Sequence, residues 1–107
     1  MALPNAVSGA LSSATNSQAT PFAPYVPNGI GSPAYFNLVV SGTFSATYNI
    51  TRSVDGGTTW VPVTSQGSVV SITTAMSEVL VEGMPGALYA VNVTSYTSGT
   101  LNYAFKQ

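Results

Sequence analysis

From residue 34 onward the chain alternates apolar and polar residues with a period of two. Ala34-Tyr35-Phe36-Asn37-Leu38-Val39-Val40 is a first predicted strand (34–40), which ends at Ser41-Gly42. Residues 43–52 alternate more cleanly, with Phe44, Ala46, Tyr48 and Ile50 opposed to Ser45, Thr47, Asn49 and Thr51. That pattern belongs to a half-buried strand of an antiparallel sheet. Further strands are predicted at 59–63, 69–73, 78–82 and 88–96, with Tyr89, Val91 and Val93 sharing a face in the last of these. A final strand carries Leu101, Tyr103 and Phe105 on one side. Turn residues separate these runs: Ser41-Gly42 as a hairpin, Asp55-Gly56-Gly57 as a hairpin, Pro85-Gly86 as a corner and Ser98-Gly99 before the last strand. Pro62 sits at an edge or a bulge, because proline cannot donate to a ladder. About seven short strands predict an all-β fold, a small antiparallel β-sandwich that is immunoglobulin-like or jelly-roll-like.

Residues 1–33 break this pattern. They hold no charge, keep no period, and carry Pro21, Pro24, Pro27 and Pro33, so an extended, polyproline-like arm is expected ahead of a sandwich domain at 34–107. Ordering about 30 such residues costs on the order of 1–2 kcal/mol each. Surface outside the arm must offset that, either the domain's own or a neighbouring subunit's. Phe22, Tyr25, Val26 and Ile30 are the expected anchors, and removing residues 1–30 is expected to leave a folded domain that no longer docks.

Composition narrows the function classes. The 107 residues include two basic and three acidic side chains, no histidine and no cysteine. Thiol and histidine nucleophile systems, disulfides and Cys/His metal sites are therefore excluded. Two cations cannot neutralise a run of phosphates, so no nucleic-acid partner is expected. No window approaches the roughly 18 apolar residues of a membrane-spanning helix, and no membrane partner is expected. Glu78 and Glu82, four apart on a strand, sit about 13 Å from each other at about 3.3 Å per residue. Paired glycosidase carboxylates stand about 5–5.5 or 6.5–9.5 Å apart. The expectation is a protein with no catalytic residues, metal or cofactor, in which Glu78 and Glu82 are solvated and guard a strand edge.

Ser53-Val54-Asp55-Gly56-Gly57-Thr58-Thr59-Trp60 resembles the Asp-box, S-x-D-x-G-x-T-W, of sialidases and other propellers, matching at Ser53, Asp55, Gly57, Thr59 and Trp60. In those proteins the box is a hairpin element away from the active site, and a single copy argues against a propeller. Gly83-Met84-Pro85-Gly86 followed by Tyr89 is similar to the E–F corner of fibronectin type III and related immunoglobulin-like domains. The resemblance implies a structural corner of Pro85, Gly86 and Tyr89, with the Tyr89 hydroxyl bonding back to the preceding loop.

The block from Gly42-Thr43-Phe44 through Arg52-Ser53-Val54-Asp55-Gly56-Gly57-Thr58-Thr59-Trp60, with Tyr96-Thr97-Ser98-Gly99-Thr100 and Tyr103, resembles small β-rich structural proteins of tailed bacteriophages over roughly residues 41–107. This resemblance implies a virion component. The function expected is a capsid decoration or cement protein on the capsid exterior, binding the major capsid protein or other virion subunits through its arm. Homo-oligomerisation, with a trimer as one closed arrangement, is expected with it. A neck or tail protein of the same virion is the alternative, and a carbohydrate-binding or adhesion module using Trp60, Tyr25, Tyr35 and Tyr96 is another.

Overall fold

A computed structural model describes residues 6–26 and 33–107. Its strands are β1 (Ala6–Leu11), β2 (Ala34–Ser41), β3 (Phe44–Ser53), β4 (Val61–Pro62), β5 (Thr64–Ser65), β6 (Ser68–Val69), β7 (Met76–Glu82), β8 (Leu88–Gly99) and β9 (Leu101–Lys106). They form a four-stranded antiparallel sheet in the order β1-β9-β2-β7, a three-stranded sheet in the order β4-β3-β8, and a small β5-β6 hairpin. The expected all-β sandwich is what forms. Its inner layer follows the period-two pattern: Phe36, Leu38 and Val40 from β2, Tyr48 and Ile50 from β3, Tyr89, Val91 and Val93 from β8, and Leu101, Tyr103 and Phe105 from β9 are all buried.

Several local expectations are corrected. Ser41-Gly42 is not a hairpin, because β2 lies in one sheet and β3 in the other. The same holds at Thr100, where the chain leaves β8 for β9. The two crossings lie side by side: β2 pairs with β9 up to Ser41↔Asn102, and β3 pairs with β8 from Phe44↔Gly99. Residues 34–53 and 88–106 thus form one long ribbon folded over a shared corner. The Thr100 amide donates to the Thr43 carbonyl there at 2.9 Å. Gly99 (φ 87°) leaves no room for a side chain, since a Cβ would stand 2.2 Å from the Thr43 oxygen. The predicted strand at 69–73 is shorter and takes a different form. A two-residue turn with positive φ at Gln66 and Gly67 joins β5 to β6, and Ile72 then makes a single bridge to Tyr48. Pro62 lies on an edge strand, as expected.

Residues 6–26, expected as part of an extended arm, pack on the domain's own surface, one of the two supports expected for it. β1 pairs along all six of its residues with β9, from Ala6↔Lys106 to Leu11↔Leu101. The chain then crosses to the other sheet and runs along the free side of β8. Ser17 N–H donates to the Val91 carbonyl (2.9 Å), Val93 N–H to the Thr15 carbonyl (2.8 Å), and Phe22 and Tyr89 exchange both backbone bonds (2.9 and 2.8 Å). One segment therefore closes an edge of each sheet. Phe22 is fully buried, stacked on Phe105 at 5.2 Å between ring centroids and tilted against Phe36 at 5.1 Å. The prolines prevent a regular strand, but between them Phe22 still pairs with Tyr89 on β8 and the Tyr25 backbone bonds the Gln107 side chain.

Candidate functional site

Arg52 and Glu82 meet between the two sheets. Arg52 continues the inward parity of Tyr48 and Ile50 on β3, and its cross-strand neighbour is Tyr89. Glu82 ends β7 on the inner face, opposite Ala34. The guanidinium grips the carboxylate with two bonds, Nε to Oε1 at 2.5 Å and Nη2 to Oε2 at 2.6 Å. The Tyr89 hydroxyl donates to Oε1 at 2.7 Å and the Met84 amide to Oε2 at 2.9 Å. Glu82 is 4% exposed and Arg52 37%, so the cation reaches water while the anion does not.

Burial alone would raise the Glu82 pKa, but the bonds from Arg52, Tyr89 and Met84 outweigh it and hold the carboxyl at about 2. Burial, then the Glu82 bond, push the Tyr89 hydroxyl well above its ordinary value. The pairing with Glu82 raises Arg52 further still. Glu82 is thus not the solvated edge guard expected of it; Glu78, exposed on β7, remains in that place.

The Tyr89 hydroxyl reaches back across the corner, but to the Glu82 side chain rather than to loop backbone. Pro85 and Gly86 form the turn itself: Gly86 takes φ 88°, and the Ala87 amide bonds the Met84 carbonyl at 3.3 Å. A turn of this shape needs positive φ at its third residue.

The Asp-box hairpin follows Arg52 directly. Ser53 Oγ donates to Asp55 Oδ1 at 2.8 Å and accepts the Gly57 amide at 2.9 Å. Asp55 Oδ1 accepts the Thr59 amide at 2.9 Å, and Trp60 Nε1 donates to the Gly57 carbonyl at 3.1 Å. The Thr59 amide, then Ser53, hold the Asp55 carboxyl below its usual range. Every matching residue of the box serves the hairpin. An open depression of about 510 Å³ lies beside it, lined by Arg52, Asp55, Thr59, Val61 and Tyr89 among others. Its two charged groups are already committed, Arg52 to Glu82 and Asp55 to the turn.

The four arm anchors separate. Phe22 belongs to this domain's core. Tyr25 is exposed, while its backbone N–H and C=O are clamped by the Gln107 side-chain amide at 2.7 and 2.8 Å. Val26 is half-buried, and Ile30 lies outside the described residues. Among the aromatics weighed for glycan stacking, Trp60 is half-buried in its hairpin, Tyr96 bonds the Gly99 carbonyl at 2.8 Å, and Tyr25 and Tyr35 are exposed.

Sequence reasoning passed over the outer face of the four-stranded sheet. Tyr35 and Val81 stand opposite each other across β2 and β7, with Val79 beside Asn37. Tyr35 and Val79 are each 63% exposed, Val81 53% and Val39 40%. The signal was available as the second parity of β2 and β7: both strands carry large apolar residues on the face opposite the core. Among the described residues no three Asp, Glu, His or Cys side chains converge as a metal site would require. Comparison with protein-family models, with curated proteins and with solved structures finds no match to this chain.

Proposed function

We propose that this chain is a non-enzymatic structural protein of a bacteriophage particle, a decoration protein on the capsid exterior that binds the major capsid protein or neighbouring virion subunits. The observation that carries the docking role is the outer face of the four-stranded sheet, where Tyr35, Val39, Val79 and Val81 are exposed together and Lys106 of β9 stands opposite Asn37. Exposed apolar patches of this kind mark interaction surfaces. A non-catalytic role agrees with the state of the acids. Asp55 and Glu82 are occupied as hydrogen-bond acceptors with lowered pKa, so near neutrality both are ionised, hold no proton to donate and are weak bases. The phage assignment rests on the resemblance of residues 41–107 and supplies the class of partner. Docking runs through this face rather than through Phe22, which the core already uses.

Quantitative mass spectrometry of purified particles of the phage encoding the chain is the test. Hundreds of copies per particle are expected of a decoration protein. About 6–12 copies would move the protein to a closed neck or tail ring, and absence from the particle would overturn the reading.

A further inference from the structure

Among the described residues, the four-stranded sheet ends at β7 with no strand on its outer side. Among the described residues, the outward N–H and C=O groups of alternate β7 residues therefore have no strand partner there, whereas β8 is covered by residues 15–22. Beneath this edge the sandwich gapes. A groove of about 660 Å³ runs between β7 and the segment from Val63 to Ile72, with Ile50, Val63, Ile72, Met76 and Leu80 on its walls. Among the described residues, Glu78 is the single charged one lining it. It points to the inner side of the sheet, opposite the buried Leu38, and is exposed at an edge that carries no further strand among the described residues.

We propose that β7 and this groove receive an extended segment of a different protein, added to the sheet as a fifth strand. The segment carries apolar residues at alternate positions and a Lys or Arg facing Glu78. Main-chain bonding to an open edge gives affinity, and pockets under alternate side chains give selectivity. Inward side chains of the added strand fill the groove, while its outward ones continue the Tyr35–Val81 face. The carboxylate of Glu78 sets the required charge, since a buried unpaired anion is costly and an opposed cation removes that cost.

The same residue disfavours a second copy of this chain. Antiparallel self-pairing of β7 centred on Glu78 sets the two Glu78 side chains opposite each other. Centred on Leu80, it sets Glu78 against Glu82; centred on Val79, it leaves the two Glu78 side chains as diagonal neighbours, roughly 7–8 Å apart. In the Glu78- and Val79-centred registers the two Glu78 side chains bring no cation with them, and in the Leu80-centred one the cation beside Glu82, Arg52, is already held by it. The inference does not depend on the virion reading, because it concerns only the edge and the chemistry that fits it.

The test is selection of twelve-residue peptides from a random display library against the full chain, followed by hydrogen exchange on the complexes. Enriched peptides are expected to alternate apolar residues around a Lys or Arg, to slow exchange along β7, and to bind a Glu78→Lys variant about tenfold more weakly. Replacing the peptide's cation with glutamate should restore binding to Glu78→Lys. The proposal is overturned if no peptide is enriched, if enriched peptides protect other strands or ignore the charge at position 78, or if β7 is protected by concentration-dependent self-association without peptide.

Discussion

Replacing Phe22 with alanine removes a ring that Phe36 and Phe105 enclose, and the site cannot collapse without moving both sheets. Such truncations cost about 3–5 kcal/mol, so Phe22→Ala should lower the urea midpoint sharply; an unchanged midpoint would return Phe22 to the role of an external anchor. Glu82 makes a second prediction. Its folded pKa of about 2 lies below the unfolded value of 4.5. The ion pair therefore stabilises the fold above about pH 4.5, and that stabilisation drains away as pH falls toward 2. The shift corresponds to on the order of 3 kcal/mol. Glu82→Gln should be destabilised by roughly 3 kcal/mol at neutral pH, near the low end for a broken buried pair because Arg52 keeps some water. The gap to the unsubstituted protein should close by pH 2, and a gap independent of pH would contradict the assignment. At the alkaline end, burial raises Tyr48 to about 12. Its folded value exceeds its unfolded one, so stability should begin to fall once pH passes about 10, where unfolded tyrosines ionise.

At the level of elements, the corner where β2–β3 and β8–β9 cross together is the least forgiving point of the backbone. Gly99→Ala puts a Cβ onto the Thr43 carbonyl at a left-handed φ, a combination expected to cost about 1–3 kcal/mol or more; thermal unfolding measures it. Gly86, with equal need for positive φ but open space around it, should lose less on the same substitution. The strands themselves were legible because one buried face per strand writes a period of two. The crossings were not, since a glycine turn between alternating runs reads alike whether the second strand pairs with the first or joins the opposite sheet. Arg52 and Glu82 were legible in part. Arg52 shares its parity with Phe44, Ala46, Tyr48 and Ile50, and an inward charge demands a partner. Glu82, however, shares its parity with Glu78 and reads as solvated, and two positions 30 residues apart do not say that they face each other across the sandwich.

For the whole molecule, the N-terminal third changes the picture most. Its prolines and lack of period describe how residues 6–26 are built, not where they go, and tertiary bonding to β8 and β9 overrides the appearance of a free arm. The lack of charge before Arg52 has two sources here: residues 6–26 line the domain's own core and edges, and β2 leaves Tyr35 and Val39 facing outward. In the proposed reading, docking falls to the outer sheet face and the β7 edge. Native-state hydrogen exchange on the isolated full-length chain tests this most directly. The amides of Ser17, Phe22, Tyr89, Val91 and Val93 should exchange as one cooperative unit, at the free energy of global unfolding. The Val91 amide donates to Ser17 Oγ, so rapid exchange of Ser17, Phe22, Tyr89, Val91 and Val93 together, while Ala90 and Asn92 on the β3 side of β8 stay protected, would contradict it and would restore residues 6–26 to an undocked arm.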